Sequence, residues 1–267
     1  MSEENPEQPL DRYRAPALDK GLDILEVLAD QARGLTRAEI VKAMGLNPSQ
    51  IYRMLERLVA RGYVTRIEGG DRYALTMRLY LLATRHPPLR RLVAQAQPLM
   101  DEFSRALQQS CHLVVPEQGT GIVIAQASPT GHWEFRARIG GQVDLFSTGS
   151  GLTLLAFQDP GRIVETLGIW GVGEAERRLA EISDHLAAVR CQGSRVEPSG
   201  QLVGVTDLSV PVMGPGGEAI AVLTCAYIPH PELRESESRD HALAALMRLS
   251  AELSSPEAAT WLSGSTV

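Results

Sequence analysis

Apolar side chains in the first quarter of the chain repeat at the spacing of an α-helix in three successive segments. Leucine and isoleucine recur every three or four positions from Ala17 to Asp30, which predicts an amphipathic helix. Thr36 and Glu39 stand three positions apart, as in a capping box, and predict the start of a second helix. Pro48 suits the first turn of a third helix, because the amide that proline lacks has no intrahelical acceptor there.

Strand-like alternation replaces the helical period directly after the third helix. Residues 63–67 and 72–75 alternate apolar and polar side chains around the turn-forming sequence Gly69-Gly70-Asp71, which predicts a β-hairpin. A helix, a helix–turn–helix and a hairpin in this order are typical of a winged helix–turn–helix, a DNA-binding domain.

The third helix has one apolar side, which determines what the other side carries. Its apolar stripe consists of Ile51, Met54, Leu55, Leu58 and Val59. The opposite side carries Ser49, Gln50, Arg53 and Arg57, with Tyr52 at its edge. Side chains of these types read base edges or bind phosphates from the major groove. A merely solvated helix face would show the same charges, but the order of cap, proline and hairpin favours DNA binding.

Three further arginines complete the predicted DNA-binding set. Arg66 and Arg72 flank the tip of the hairpin, where contacts with phosphates or with the minor groove are expected. The alternative for both is an ordinary solvated hairpin. Arg37 opens the second helix and is included as a DNA contact.

Beyond residue 110 the pattern mixes strands and helices, which predicts an α+β domain. Strand patterns cover residues 111–117, 121–128, 132–139, 204–213 and 219–228. Helix patterns cover residues 150–157, 174–190 and 234–253, and residues 191–203 have the polar composition of a loop. Pro98 should kink or restart the helix predicted for residues 89–108. The predicted organisation is a disordered leader at 1–16, the winged domain at 17–75, a linker helix at 76–88, the α+β domain at 89–255 and a tail at 256–267.

Charge is distributed unevenly along the chain. The net charge is −6, but residues 33–91 hold 12 Lys and Arg against 4 Asp and Glu, whereas residues 92–267 hold 11 against 20. A basic module beside an acidic one is expected when only the first meets phosphates. The sequence contains no apolar run that could span a membrane and no secretory leader, and its 3 widely spaced cysteines fit reduced thiols. We therefore expect a cytoplasmic protein without a membrane partner.

Enzymatic and metal-binding alternatives depend on a few residues of the second domain. Cys111 and His112 are adjacent in a predicted strand, so their side chains point to opposite faces and cannot share one pocket. His112 with Glu197 and Asp207 could form a metal site in three dimensions, although no ligand spacing supports it. The motifs of nucleophile elbows, phosphate-binding loops and dinucleotide folds do not occur. The sequence therefore predicts no catalytic residue, no metal and no cofactor.

Several segments together carry a family resemblance. They are residues 17–28, 35–64 and 72–75 in the first domain and residues 140–157, 204–213 and 216–226 in the second. In these segments the chain resembles the IclR-type bacterial transcriptional regulators. The resemblance implies a GAF-like effector domain, in which a curved antiparallel sheet holds one small metabolite. It also implies a homodimer or homotetramer on palindromic operator DNA, and control of a catabolic operon for a small organic or aromatic compound.

The resemblance further implies where the small molecule binds. Carried over onto this chain, the family pocket comprises Ser150, Gly151, Glu197, Asp207, Thr224 and Ala226. We add His112, which could line the cavity, and Phe135, which either stacks on a ligand or packs in the core or an interface. The helix that begins at Ser150 offers free amides and a positive dipole, which suit a carboxylate.

This chain departs from the family pattern within that pocket. Asp207 stands where the family often has cysteine, Ala226 replaces a hydroxyl, and Ser199-Gly200 replaces a paired acidic motif. Two acidic side chains facing one pocket would repel a carboxylate and would favour an amine, a hydroxyl-rich ligand or a phenol. Alternatively, Asp207 forms a salt bridge or faces solvent.

Two functions of different classes follow from these observations. The first is a ligand-responsive DNA-binding transcriptional regulator. The second is an enzyme or metal-binding sensor built on residues 89–255, in which the N-terminal module only docks or dimerises. The exposed side of the third helix discriminates between them, because its polar and basic residues have no role in the second.

Overall fold

The computed structural model of the chain describes residues 15–67, 71–85, 87–130, 135–229 and 235–254. The chain divides into two compact units between residues 86 and 87. The expected disordered leader falls almost entirely, and the expected C-terminal tail wholly, outside the described residues. None of the helices in the described segments is long and apolar enough to cross a membrane.

Three helices precede the hairpin in the first unit, as the sequence predicts. Their bounds are Pro16–Ala29 for α1, Arg37–Met44 for α2 and Pro48–Ala60 for α3. Thr36 accepts the amide of Glu39 through its hydroxyl, and the Glu39 carboxylate accepts the amide of Thr36, which completes the predicted capping box. Asn47 caps α3 by accepting the amide of Ser49. Gly45 turns the chain between α2 and α3 with a φ of 61°, which glycine adopts without strain.

A small antiparallel sheet closes the core of the first unit. Its strands are β1 (Leu35–Thr36), β2 (Val64–Arg66) and β3 (Arg72–Leu75), in the order β1-β3-β2. The buried core side chains are Ile24, Leu28, Ile40, Ile51, Leu55, Val64 and Tyr73. The hairpin β2–β3 confirms the predicted wing, whose tip at residues 68–70 lies outside the described residues. Strand β1 was not predicted, because two residues are too few to show alternation.

Helix α4 (Arg78–Ala83) follows the hairpin and is joined to its base. The Thr76 hydroxyl donates to the carbonyl of Gly62 and accepts the amide of Arg78 at 3.1 Å. The Arg78 guanidinium lies 5.7 Å from the centre of the Tyr63 ring. Helix α4 therefore belongs to the first unit.

A six-stranded antiparallel sheet forms the centre of the second unit, in the order β6-β5-β4-β9-β8-β7. Its strands are β4 (Cys111–Glu117), β5 (Thr120–Ala127), β6 (Gln142–Asp144), β7 (Arg195–Pro198), β8 (Thr206–Met213) and β9 (Ala219–Tyr227). The sheet is curved, which confirms the expected α+β, GAF-like fold class.

Helices cover both faces of this sheet, and alternation along the strands sorts its side chains between two cores. Helices α5 (Pro87–Leu107) and α10 (Glu235–Leu253) pack on one face, where Cys111, Leu113, Leu208 and Cys225 are buried. The other face buries Val114, Val123 and Val222 against the remaining helices. These helices are α6 (Gly149–Ala156), α7 (Ile163–Ile169), α8 (Ala175–Glu181) and α9 (Ser183–Gln192).

The strand predicted for residues 132–139 was wrong in its described part. Residues 135–139 form no strand, because the side chain of Gln126 forms hydrogen bonds with backbone groups that a strand would use. Its oxygen accepts the amide of Ala137 at 3.1 Å, and its nitrogen donates to the carbonyl of Phe135 at 3.3 Å. The edge of β5 is paired further along by β6, which was not predicted.

The loop predicted for residues 191–203 was also wrong in part. Residues 195–198 form β7, which pairs with β8 as the edge strand of the sheet. Pro198 ends this strand, and proline is tolerated in strands mainly at such edge positions. The strand was not predicted, because the charged side chains of Arg195 and Glu197 do not give the apolar alternation that indicates a strand.

The helices of the second unit differ from prediction in three respects. The helix predicted for residues 174–190 is divided at Ile182, whose φ of −114° and ψ of 8° leave helical geometry. Helix α7 was not predicted. Pro98 does not restart α5, which continues through it from Pro87 to Leu107. Because Pro98 is exposed, water can satisfy the carbonyl that loses its intrahelical donor.

Candidate DNA-binding surface and effector site

The outer side of α3 carries the polar set that the sequence predicts. Ile51 and Leu55 are fully buried on its inner side. The exposed residues are Ser49, Gln50, Tyr52, Arg53 and Arg57. Neither Arg53 nor Arg57 has an ion-pair partner among the described residues. Unpaired cations on an exposed helix are free to meet phosphates or base edges.

Neighbouring side chains hold the start of this surface in place. The Arg37 guanidinium lies 4.9 Å from the centre of the Tyr52 ring, and Lys20 donates from Nζ to Gln50 Oε1 at 3.2 Å. The Ser49 hydroxyl donates to Asn47 Oδ1 at 3.2 Å and takes part in the cap of α3. Three α3 residues that are predicted to contact DNA, Ser49, Gln50 and Tyr52, thus already have partners within the first unit.

The two wing arginines are paired within the first unit as well. Arg66 forms an ion pair with Glu56 of α3. Arg72 donates from Nη1 to the carbonyl of Gly34 at 2.9 Å and pairs with Glu39 at 3.3 Å. These contacts connect the hairpin to the helices. Within the described part of the chain, the wing arginines thus have structural partners, whereas the α3 arginines have none.

The register of the large sheet places five polar side chains in one row across five strands. Arg195 on β7 pairs with Ser209 on β8, Ser209 with Thr224 on β9, Thr224 with His112 on β4, and His112 with Gln126 on β5. Residues paired directly across antiparallel strands share a face, and this face is the one covered by α6. We call these five residues the polar row.

A chain of hydrogen bonds joins the polar row to the first turn of α6. Ser150 Oγ lies 2.8 Å from Thr224 Oγ1 and 3.3 Å from His112 Nε2. Thr224 Oγ1 lies 2.9 Å from Ser209 Oγ. All four side chains are buried, so the sheet and α6 enclose a polar site within an otherwise apolar layer. Three predicted effector residues, His112, Ser150 and Thr224, are brought together here.

One ring nitrogen of His112 has no hydrogen-bond partner among the described residues of this site. Burial lowers the pKa of His112 to about 4, so the ring is neutral near pH 7. Its Nδ1 is buried and has no hydrogen-bond partner among the described residues. A neutral imidazole can donate or accept at that nitrogen, depending on its tautomer.

Arg195 ends the polar row with a guanidinium that is only partly satisfied. Its side chain is 7% exposed, and Nη2 donates to Glu197 Oε2 at 2.7 Å. The other oxygen of Glu197 lies 3.5 Å from His185 Nε2. Arg195 Nε and Nη1 are buried without an acceptor among the described residues. Glu197, a predicted effector residue, is therefore paired with Arg195.

Helix α6 begins beside Arg195 and Asp207. A Cβ placed on Gly149 would lie 3.1 Å from Arg195 Nη1 and 3.0 Å from Asp207 Oδ2. Burial raises the pKa of Asp207 above its ordinary value, although a hydrogen bond with Ser199 and the charge of Arg195 oppose this shift. A carboxylate and a guanidinium thus face the same turn of α6.

Two further predicted effector residues, Gly151 and Phe135, lie at the margins of the site. The amide of Gly151 donates to the Thr148 hydroxyl at 3.0 Å, and a Cβ there would lie 2.3 Å from the carbonyl oxygen of Asp144. Gly151 therefore positions α6. The carbonyl of Phe135 accepts from Gln126, which places its backbone at the outer end of the polar row.

Cys111 is unsuited to nucleophilic chemistry. It is buried on the opposite face of the sheet from His112, as alternation predicts, and burial raises its pKa to about 12. Its thiol therefore stays protonated near pH 7. In the described segments, no group of three His, Cys, Asp or Glu side chains could hold a metal ion.

Arg195 and Ser209 were not among the site residues predicted from the sequence. Ser209 follows Asp207 by two positions in a predicted strand, so alternation places both on one face. Arg195 stands two positions before Glu197, and the intervening Val196 packs against the core of the α5 and α10 face. This short alternation was the available signal.

A winged helix–turn–helix with a free basic face, joined to an α+β unit with a buried polar site, defines the class of ligand-controlled transcription factors. Comparison with protein families agrees. Residues 17–68 match the IclR helix-turn-helix domain, and residues 89–255 match the bacterial transcriptional regulator IclR C-terminal domain. The chain belongs to the IclR family of transcriptional regulators, which are not enzymes. The alternative of an enzyme or metal-binding sensor is therefore wrong.

Curated relatives resemble the chain over most of its length. The transcriptional regulator KdgR of Escherichia coli is 28% identical over 236 residues, which cover 87% of this chain and 88% of that protein. The regulator BhcR of Paracoccus denitrificans is 27% identical over 256 residues, covering 89% and 86%.

Solved structures share the fold. An IclR homolog from Microbacterium hydrocarbonoxydans complexed with 4-hydroxybenzoate has a TM-score of 0.70 at 23% identity, covering 93% of this chain and all of that one. An IclR regulator from Alicyclobacillus acidocaldarius has a TM-score of 0.68 at 22% identity, covering 91% and 98%.

Proposed function

We propose that this regulator binds operator DNA through α3 and that a small molecule in the polar row changes this binding. The observation that carries the proposal is the exposed side of α3, where Arg53 and Arg57 lack ion-pair partners among the described residues. Ser49 and Gln50 occupy its first turn, the part of a recognition helix that approaches base edges. Tyr52 and the cations that flank α3 then hold the sugar–phosphate backbone.

Binding to the DNA that flanks the gene of this protein tests the first half of the proposal. The wild-type chain should bind specifically and lose affinity as salt rises, because contacts to phosphates release counterions. Arg53→Ala should weaken specific binding by about 1–3 kcal/mol. Arg105→Ala removes the same charge from an exposed position on α5 and should leave binding unchanged. Equal binding by the wild type and Arg53→Ala would contradict the assignment of α3.

We infer that two copies of the chain act together on DNA. Large apolar side chains are exposed on α1 and α4: Leu18, Leu22, Tyr80, Leu81 and Leu82. Apolar surface of this kind commonly marks an interface, and a symmetric dimer suits a palindromic operator. Leu81→Glu should convert the dimer, or dimer of dimers, to smaller species in light scattering. An unchanged mass would place the interface elsewhere.

The effector is proposed to be a small organic or aromatic metabolite whose catabolic operon the protein controls in the cytoplasm. The support is the enclosed polar row and the presence of a 4-hydroxybenzoate complex among proteins of this fold. Occupancy of the row would act on DNA binding through residues 76–88. Titration of the operator complex with candidate metabolites tests this coupling. Identical operator affinity with and without a metabolite that binds the second unit would refute it.

A further inference from the structure

We propose that Lys20 of α1 sets the base preference of Gln50 on α3, so that this glutamine binds guanine in the major groove. A glutamine alone on a recognition helix pairs most readily with adenine. The inference rests on the proposed function, because it assigns part of the DNA sequence that α3 recognises. Lys20 is a positioning residue in this proposal, since it acts through the side chain of Gln50.

The core of the first unit brings the two side chains together. Ile24 on α1 and Ile51 on α3 are both fully buried in it. Lys20 stands one turn before Ile24, on the same side of α1. Gln50 directly precedes Ile51, and its backbone amide donates to the carbonyl of Asn47 in the first turn of α3. The contact between Lys20 Nζ and Gln50 Oε1, at 3.2 Å, therefore follows from the packing of α1 on α3.

The chemistry of lysine fixes which end of the Gln50 side-chain amide stays available. An ammonium group has three donors and no acceptor, so it can meet only the oxygen of an amide. Oε1 is therefore directed at Lys20, and the donor Nε2 has no acceptor among the described residues. Together the two side chains present donors, which are the N–H groups of Gln50 Nε2 and those of the ammonium that do not point at Oε1.

Guanine is the base whose major-groove edge matches two neighbouring donors. Adenine carries the donor N6 beside the acceptor N7, so its bidentate contact needs the glutamine oxygen as an acceptor. An ammonium 3.2 Å from that oxygen would lie against the N6 amino group, which also donates. Guanine instead carries two acceptors, N7 and O6, which suit Gln50 Nε2 and Lys20 Nζ. Thymine offers one acceptor and a methyl group, and cytosine offers a donor.

The rest of α3 agrees with a surface that is rich in donors. Arg53 follows Gln50 by three positions on the same side of the helix, and guanine is the base that arginine contacts most often. Glu56 carries the only carboxylate of α3, and it is paired with Arg66 of the wing. No carboxylate of this helix is thus left to accept from the amino groups of adenine or cytosine.

Selection of bound sequences from a random duplex DNA library tests the proposal with the full-length chain. Sequencing of the bound fraction gives the relative affinity for the four bases at every position of the site. Gln50→Ala identifies the position that Gln50 contacts, because discrimination should be lost there. At this position the wild type should prefer guanine over adenine by roughly tenfold or more.

Variants of Lys20 should change the identity of the preferred base. Lys20→Met keeps a long side chain but removes the ammonium, so Gln50 Oε1 becomes free to accept from adenine. The preference should then change from guanine to adenine. Lys20→Arg keeps a group that only donates and should retain guanine. The control Lys42→Met removes the same charge from an exposed position on α2 and should leave the base preference unchanged. Circular dichroism verifies that each variant is folded.

The inference is overturned if the wild type prefers adenine at the Gln50 position, or if Lys20→Met still prefers guanine there. It is also overturned if Lys20→Met weakens binding to all four bases equally, as the loss of a phosphate contact would. Arg53→Ala in the same selection separates this result from the proposed function. Sequence preferences that depend on Arg53 but not on Lys20 would refute only the role of Lys20. A library without any enriched sequence would refute the proposed function, and this inference with it.

Discussion

Arg53 on α3 and Arg195 on β7 both have donors without an acceptor among the described residues, but their surroundings differ. Arg53 is exposed, so water satisfies its donors and leaving it unpaired costs the fold little. Arg195 is buried, and its Nε and Nη1 have no acceptor among the described residues. In the proposed function the first contacts many DNA sites and is weakened by salt, whereas a buried cation such as the second constrains any partner by position and charge. The proposed function therefore requires breadth of contact from one unit and selection from the other.

The largest loss of stability should come from disturbing the close packing that holds α6 over the polar row. Gly151→Ala would place a Cβ 2.3 Å from Asp144 O and 2.5 Å from Leu145 Cα, both backbone atoms that cannot move aside. We expect a loss of about 3 kcal/mol in the free energy of unfolding, measured by urea denaturation. Gly168→Ala is the control, because nothing lies within 4 Å of its Cβ position in α7. A loss as large in the control would show that the fit at α6 is not special.

The second-largest effect should be a loss of stability at low pH, which comes from the buried His112. The folded pKa of His112, about 4, lies below its unfolded value near 6.5. The unfolded chain therefore takes up a proton first, and stability falls as the pH drops from about 6.5 through 4. This effect amounts to about 2 kcal/mol between pH 7.5 and pH 5.

The variant His112→Gln isolates that contribution. Urea midpoints of the variant should depend less on pH than those of the wild type, because the remaining titrating groups are common to both. The exposed His241 on α10 provides the control, and His241→Gln should keep the wild-type pH profile. A wild-type profile in His112→Gln would mean that His112 is not kept neutral by burial.

A smaller loss of stability is expected from removing the cap at the start of α2 in the first unit. Thr36→Ala removes the hydroxyl that accepts the amide of Glu39 and should cost about 1 kcal/mol of unfolding free energy. Ser is the conservative replacement, and Thr36→Ser should recover most of this loss. If Ala and Ser behave alike, the hydroxyl does not stabilise α2.

The smallest effect on stability should come from the wing. Arg66→Ala breaks an exposed pair with Glu56, and exposed pairs contribute little to folding. The urea midpoint should stay within error, while the salt dependence of operator binding should fall if Arg66 also reaches phosphate. An unchanged salt dependence would limit Arg66 to its contact with α3.

The first unit could be predicted closely because its signals are local. The cap at Thr36, the turn at Gly45 and the apolar stripe of α3 each follow from neighbours in sequence. Amphipathic helices reveal their exposed side once the buried side is known. The outward position of Arg53 therefore followed from the positions of Ile51 and Leu55.

The buried site was harder to predict from the sequence, because its geometry is set by pairing between strands that are far apart along the chain. Arg195 enters the polar row only through the register of β7 on β8, and no local pattern specifies that register. Gln126 similarly displaced a predicted strand through a side-chain contact with residues 135 and 137. Ser150 and Thr224 were found through family resemblance and His112 through its place in a predicted strand, but the hydrogen bonds that join them were not.

The hydroxyl groups under α6 share a limited number of protons. Ser209, Thr224 and Ser150 each have one to give, so two orders run in one direction along the whole chain: every hydrogen bond points toward His112, or every one points away from it. In the first order His112 Nε2 accepts, and Nδ1 carries the ring proton. In the second order Nε2 donates, and Nδ1 is left as an acceptor. A change at the Ser209 end of this relay can therefore invert what His112 offers at the other end, without moving a backbone atom.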